Sequence, residues 1–138
     1  MIAARFNDDI AQALLSGCLA RLTELGINRS RIQVHRVPGA FELPVAAKLA
    51  GKSGKFAAII CLGAVIRGET PHFDFVAAAA ARGIQLVALE LSVPVIFGVL
   101  TTNTRRQAMR RLAAGPRAAD AAVEMIGLAR SFRKTRSR

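Results

Sequence analysis

The 138-residue chain has no tryptophan, no tyrosine and only two cysteines, Cys18 and Cys61. Each cysteine lies in an apolar stretch, outside any CxxC pair and away from histidine at ligand spacing. That argues against a disulfide framework or a zinc site, and it is the usage expected of a protein in the reducing cytoplasm. No apolar run reaches the ~20 residues of a spanning helix, because arginines and prolines interrupt the longest ones. No basic-then-apolar signal segment opens the chain, since Met1 to Asn7 lead straight into Asp8-Asp9. The GxSxG elbow, the P-loop, HExxH and GxGxxG are all missing. Elbow hydrolases, nucleoside triphosphatases, zinc peptidases and dinucleotide enzymes therefore lose their sequence support. Anions are scarce as well, nine against 20 cations, for a formal net charge of +11.

What is present is a core. Hydrophobic residues make up 52% of the chain and mean hydropathy is +0.33. A domain of this size buries roughly 65–70% of its extended-chain surface. With no internal repeat and no low-complexity linker, residues 1–132 read as one domain and 133–138 as a basic tail. The charge is lopsided: residues 1–104 carry ten cations and seven anions, whereas 105–138 carry ten cations against Asp120 and Glu124. Arg130 to Arg138 hold five cations and no anion, the composition of a frayed, solvated terminus. An RNA-binding arm is the alternative. Phe132 is its only aromatic, however, and no nucleic-acid module accompanies it, so nucleic acid is not the expected partner.

Periodicity then orders the chain. Asn7 or Asp8 can cap a helix through Ile10, Leu14, Cys18, Leu22 and Leu25, stopped by Gly26. Ile32 and Val34 alternate with Gln33 and His35, predicting a strand that runs into Val37-Pro38-Gly39. Pro44 suits the first turn of a helix over Leu43 to Ala50. Phe56 to Ile66 reads as a strand covered on both faces. From Pro71, the period of Phe75, Val76, Ala79, Ala80, Ile84 and Val87 favours one long helix over a strand at Leu86 to Leu91. Val93 to Leu100 follows as a buried strand. Thr101-Thr102-Asn103 would cap a helix to about Ala114, and Pro116 would open a last helix reaching Phe132. This alternation calls for an α/β fold, a parallel sheet with helices on both faces. Ligands in such sheets sit beyond the carboxyl ends of the strands. Those ends are expected at Phe6-Asn7, Pro38 to Glu42, Val65 to His72, and Gly98 to Thr102.

The segment RGETPHFD, Arg67 to Asp74, stands out at a strand-to-helix junction. Gly68 permits close backbone approach, and the N–H groups of Glu69, Thr70 and the helix start can hold an anion. His72 falls in the first helical turn, where the positive helix end favours neutral imidazole, a form able to shuttle protons. A plain surface histidine is the bland alternative, and its neighbours tip the reading toward chemistry. Arg105, Arg106, Arg110 and Arg111 form a cationic cluster, most of it readable as a solvated face. Phe6, Phe41 and Phe97 lie at strand ends, where they either fill core or stack on a planar ring. Glu42 either complements a helix dipole or accepts hydrogen bonds from a ligand.

Together the motifs RFN (5–7), VPGAFELP (37–44), LGAVIRGETPHFD (62–74), PVIFGVLTTNT (94–104) and AGPRAADAAVEM (114–125) resemble those of lumazine synthases, over about residues 2–126. The resemblance implies a flavodoxin-like three-layer αβα sandwich. It also implies condensation of 5-amino-6-(D-ribitylamino)uracil with 3,4-dihydroxy-2-butanone 4-phosphate to 6,7-dimethyl-8-ribityllumazine, with no metal or organic cofactor. In this resemblance His72 is the proton-transfer residue and Phe6 stacks on the pyrimidine. Ala40, Phe41 and Glu42 hold the ribityl chain and ring edge, and Ala64, Val65 and Ile66 flank the ring. Glu69 and Thr70 contact the phosphate, while Phe97 and Arg111 come from a neighbouring subunit, the arginine as phosphate partner. The implied assembly is at least a pentamer, with icosahedral cages in some members. Three departures stand against the family pattern. Only Met1 to Ala4 precede RFN, so the first strand should be nearly absent. The turn before AGPR is short, with Pro116-Arg117 where an Asn-Lys pair is common. The basic tail is not a family feature. The related archaeal-type riboflavin synthase shares a VPG segment but is not expected to carry RGETPH. A carrier without turnover would not need His72 and Arg111, and a polyanion-binding shell would be an additional role.

Overall fold

The computed structural model describes residues 1–135, and helices and strands alternate along them: β1 (Ile2–Ala4), α1 (Asp8–Glu24), β2 (His35–Val37), α2 (Leu43–Lys52), β3 (Ile59–Ile66), α3 (His72–Leu91), β4 (Val95–Thr102), α4 (Arg105–Met109) and α5 (Ala114–Thr135). The sheet has the order β2-β1-β3-β4 with every pairing parallel. The short β1 is present, wholly buried between β2 and β3. Alternating residues of β3 feed two cores. Ile60, Leu62 and Ala64 face Ile10, Leu14 and Cys18 of α1 and the alanines of α5, whereas Ile59, Cys61 and Val65 face Leu43, Ala47, Ala80 and Ile84 of α2 and α3. The result is a flavodoxin-like αβα sandwich. α1 and α5 approach so closely that a Cβ on Gly115 would lie 2.4 Å from the Leu14 carbonyl oxygen. The thiols of Cys18 and Cys61 sit in opposite cores, and burial pushes them up to about 11 and about 12 respectively.

Several sequence expectations need correction. The strand predicted at Ile32 to His35 is His35–Val37, because β1 offers only Ile2, Ala3 and Ala4 as partners for His35, Arg36 and Val37. Ile32 and Val34 are half-buried from an irregular segment, so their alternation reports packing rather than pairing. Asn7 does not cap α1 with its side chain; it adopts a left-handed conformation and its Nδ2 donates to the Ala64 carbonyl at 3.0 Å. Strand β4 runs two residues past Leu100, through Thr102. The cap of α4 is therefore Thr104, in a reciprocal box with Gln107, and the helix stops at Met109 rather than Ala114. Helix α5 begins two residues before Pro116, whose missing N–H falls among the first four amides that need no intrahelical partner. That helix also continues through Arg130 to Thr135 instead of fraying. Leu128, Ala129, Arg130 and Arg133 there are good helix formers. Residues 136–138 of the expected tail lie outside the described residues.

Candidate functional site

The carboxyl ends of β1, β2 and β3, with the start of α3, enclose an open cavity of about 690 Å³. Each wall follows from a local break in regular structure. After β1, the left-handed Asn7 turns the chain into α1 and leaves Phe6 on the rim, 72% exposed. Asparagine tolerates that conformation better than most residues. Its amide bond to Ala64 ties the end of β1 to the end of β3. Beyond β2, Pro38-Gly39 leads into a single 3-10 turn, Ala40–Glu42, that carries Ala40, Phe41 and Glu42 into the cavity wall. Gly39 is extended (φ −155°), a conformation open to any residue, so its constraint is one of space. A Cβ there would stand 3.3 Å from Glu42 Oε2 and 3.9 Å from the Phe6 Cβ. The bare glycine thus lets the carboxylate fold back beside Phe6. The end of β3 supplies Ala64, Val65 and Ile66 as an apolar edge.

The segment after β3 contributes Gly68, Thr70 and His72 to the same cavity, with Phe73, Phe75 and Val76 from α3. Pro71 precedes the first helical residue, His72, so the imidazole sits in the first turn as its sequence context predicts. Arg67 is turned away from the cavity. Its Nη1 and Nη2 donate to the two carboxylate oxygens of Asp74, each at 3.2 Å, and its Nε to Asn103 Oδ1 at 3.0 Å. Its guanidinium also lies 4.4 Å from the centroid of the Phe73 ring.

Nine predicted residues therefore share one cavity: Phe6, Ala40, Phe41, Glu42, Ala64, Val65, Ile66, Thr70 and His72. Glu69 is in the same loop, exposed, but does not line it. Phe97 and Arg111 are elsewhere in the chain. Phe97 lies in the first half of β4 and borders a separate hollow of about 220 Å³ with Arg117 and Ala118. Arg111 follows α4, and its Nη1 donates to the Gln107 carbonyl at 2.9 Å. The end of β4, expected to join the site, adds no lining residue: Gly98 is internal to the strand, and the Thr102 hydroxyl donates to the Thr104 carbonyl. Three lining residues escaped their sequence reading. Val76 was read only as part of the apolar stripe of α3. Phe75 kept the apolar helical period yet is 72% exposed on the rim. Phe73 carried no signal of its own. In sum, the cavity offers exposed aromatic faces, a carboxylate, an imidazole and a hydroxyl. Among the described residues no arginine or lysine lines it.

Comparison with known proteins follows the same line. A family model described as 6,7-dimethyl-8-ribityllumazine synthase matches residues 1–130. The 6,7-dimethyl-8-ribityllumazine synthase of Desulfatibacillum aliphaticivorans is 50% identical over 140 residues, spanning 96% of this chain and 89% of that protein. The protein of the same name from Syntrophus aciditrophicus (strain SB) is 52% identical over 134 residues, 94% of this chain and 87% of its own. That of Protochlamydia amoebophila (strain UWE25) is 50% identical over 133 residues, 93% of this chain and 77% of its own.

Proposed function

The chain belongs to the 6,7-dimethyl-8-ribityllumazine synthase family, and from that premise we propose which of its residues carry the reaction. The protein is an enzyme, a transferase of riboflavin biosynthesis. It condenses 5-amino-6-(D-ribitylamino)uracil with 3,4-dihydroxy-2-butanone 4-phosphate and releases phosphate and water. In the proposed scheme the uracil's amino group and the ketone form an imine with loss of one water, phosphate is eliminated, and ring closure of the ribitylamino nitrogen on the resulting carbonyl expels a second water, without a metal or organic cofactor. His72 moves protons in these steps, an imidazole being suited to donate and accept near neutral pH. Phe6 stacks on the pyrimidine, and Ala64, Val65 and Ile66 flank it. Ala40, Phe41 and Glu42 hold the ring edge and the ribityl chain, the carboxylate accepting from N–H or O–H groups. Glu69 and Thr70 border the phosphate. Arg111 reaches that phosphate, and Phe97 reaches the ring, from a neighbouring subunit.

The observation that carries this reading is the make-up of the cavity. Three sequence-distant segments bring an aromatic face, a carboxylate and a histidine to one place, and among the described residues no arginine or lysine joins them. Backbone amides at the start of α3 can meet part of the phosphate's charge, and a charge-assisted partner for it is assigned to a neighbouring subunit. The family is oligomeric, and we assign this member at least a pentameric ring, with an icosahedral cage as the larger form that light scattering distinguishes. We place it in the cytoplasm, in keeping with two unpaired buried thiols. Among the described residues no helix is long and apolar enough to cross a membrane. We further take residues 1–132 as its one domain and 133–138 as a basic appendage. The test is His72→Ala, which should slow lumazine formation by about 10²-fold with little loss of stability. Near-full activity in that variant would overturn the assignment.

A further inference from the structure

The stretch between β3 and α3 holds the polar side of the cavity, yet little in its own backbone fixes it. Among the described residues, backbone hydrogen bonds outside the helices and strands meet it at its two ends only: Arg67 N–H to the Thr102 carbonyl at 2.9 Å, and Asp74 N–H to the Pro71 carbonyl at 3.0 Å. Gly68, Glu69, Thr70, Pro71 and His72 are all exposed. A Cβ on Gly68 would meet nothing within 4 Å, so packing does not restrain that residue either. Glycine adds backbone freedom where the loop leaves the strand.

What crosses the base of this loop is the Arg67 side chain. Its fork takes both carboxylate oxygens of Asp74, seven residues on, and its Nε takes Asn103 in the segment after β4. Its flat face rests on Phe73, itself a cavity residue. We propose that Arg67 is a positioning residue for the condensation: it locks the loop of residues 68–72 into a closed ring and thereby sets where His72 and Thr70 stand in the cavity. Guanidinium suits this task. It is planar, permanently charged and able to bind a carboxylate through two parallel bonds while a third donor points elsewhere. A lysine ammonium cannot hold Asp74 and Asn103 in the same fixed geometry. The same contacts explain why this arginine, though close to a phosphate-handling loop, is not the missing phosphate cation: its fork is occupied by Asp74.

The inference rests on the reading of His72 as the proton-transfer residue, and the experiment separates the two. Arg67→Lys, the isosteric Asp74→Asn, their double variant, and Arg67→Lys in a His72→Ala background are compared by kcat, KM and Tm on the assembled protein. Arg67→Lys and Asp74→Asn should each lower kcat about tenfold while Tm moves by only a few degrees, as expected for a solvent-exposed ion pair. The double variant should be no slower than the slower single variant, because both changes open the same clamp. In the His72→Ala background, Arg67→Lys should cost less than about twofold in kcat. Unchanged kcat in both single variants, or losses that multiply in the double variant, would overturn the proposal. So would an Arg67→Lys loss undiminished without His72. If His72→Ala itself keeps full activity, the reading of His72 falls, while the Arg67–Asp74 pair of kcat measurements still decides whether the clamp exists.

Discussion

The two central strands, β3 and β4, are equally long, parallel and paired residue for residue from Ile59–Val95 to Ile66–Thr102, yet their carboxyl ends have opposite fates. β3 opens into a loop whose polar groups face a cavity. β4 closes on itself: Thr102, Thr104 and Gln107 satisfy one another in a tight cap, and no residue of β4 or α4 faces that cavity. The β3 side contributes imidazole, hydroxyl and aromatic groups, with no arginine or lysine among the described residues that line the cavity. The β4 and α4 side carries arginines and the 42% exposed Phe97, beside a smaller hollow of about 220 Å³. Each region holds what the other lacks. In the proposed ring, one subunit's β4 side would meet the next subunit's cavity, and the two halves together would complete the site.

The comparison is sharpest at Arg111. If the β4 side supplies the phosphate cation, Arg111→Ala should raise the KM for the ketone phosphate by roughly tenfold or more, the loss expected for a charge-assisted contact. Arg105→Ala and Arg106→Ala should change it far less, because Arg105 is engaged with Asp9 within the chain and Arg106 is expected to remain solvated. Inorganic phosphate should raise the Tm of the wild type and leave that of Arg111→Ala almost unmoved. Equal protection of both would locate the phosphate elsewhere.

A smaller effect is expected inside the cavity. Gly39→Ala puts a methyl group 3.3 Å from Glu42 Oε2, so that carboxylate must give by a few tenths of an ångström. The KM for the ribitylaminouracil should rise several-fold, about 1 kcal/mol of lost hydrogen bonding, with kcat nearly unchanged. A variant with wild-type KM would show that Glu42 does not touch this substrate.

The smallest effect concerns the framework that both regions share. Cys18 and Cys61, one in each core, have thiols raised by burial from 9.0 to about 11 and about 12. The folded protein keeps their protons while an unfolded chain releases them above pH 9 or so. Their contribution to stability is thus complete below about pH 9 and is lost as pH rises through the folded values. Tm should fall over that alkaline range, and the fall should be shallower in Cys18→Ala. An unaltered slope would show that other groups govern alkaline unfolding.

Much of this was legible in the sequence, and the residues show why. Long periodic segments such as Phe75 to Val87 declare a helix whatever surrounds them, and runs such as Ile59 to Ile66 declare a doubly covered strand. Three of the four strand ends marked by glycine, proline and polar residues line the cavity, where the chain must break its pattern to reach a ligand, and the fourth, at the end of β4, does not. What escaped depended on partners far along the chain. β2 took its register from β1, 33 residues earlier, and not from its own alternation. Asn7 chose Ala64, 57 residues away, over the helix it precedes. Arg67 found Asp74 and Asn103, a pairing that no periodicity encodes. Phe75 shows a further gap: an apolar residue on a helical stripe is equally fit for a core, a cavity rim or a neighbour.

The division of the site between two subunits is tested most directly by mixing two defective proteins. In the proposed shared site, His72→Ala lacks one half and Arg111→Ala the other. Unfolded together in equal amounts and refolded, they form hybrid rings, confirmed as such by native mass spectrometry. At a ketone phosphate concentration too low for Arg111→Ala to turn over, about a quarter of the interfaces should join an intact His72 to an intact Arg111 if subunits assort at random around a closed ring. About a quarter of wild-type activity should return. Hybrid rings with no recovered activity would contradict a shared site, because a site built within one chain would carry a defect in every copy.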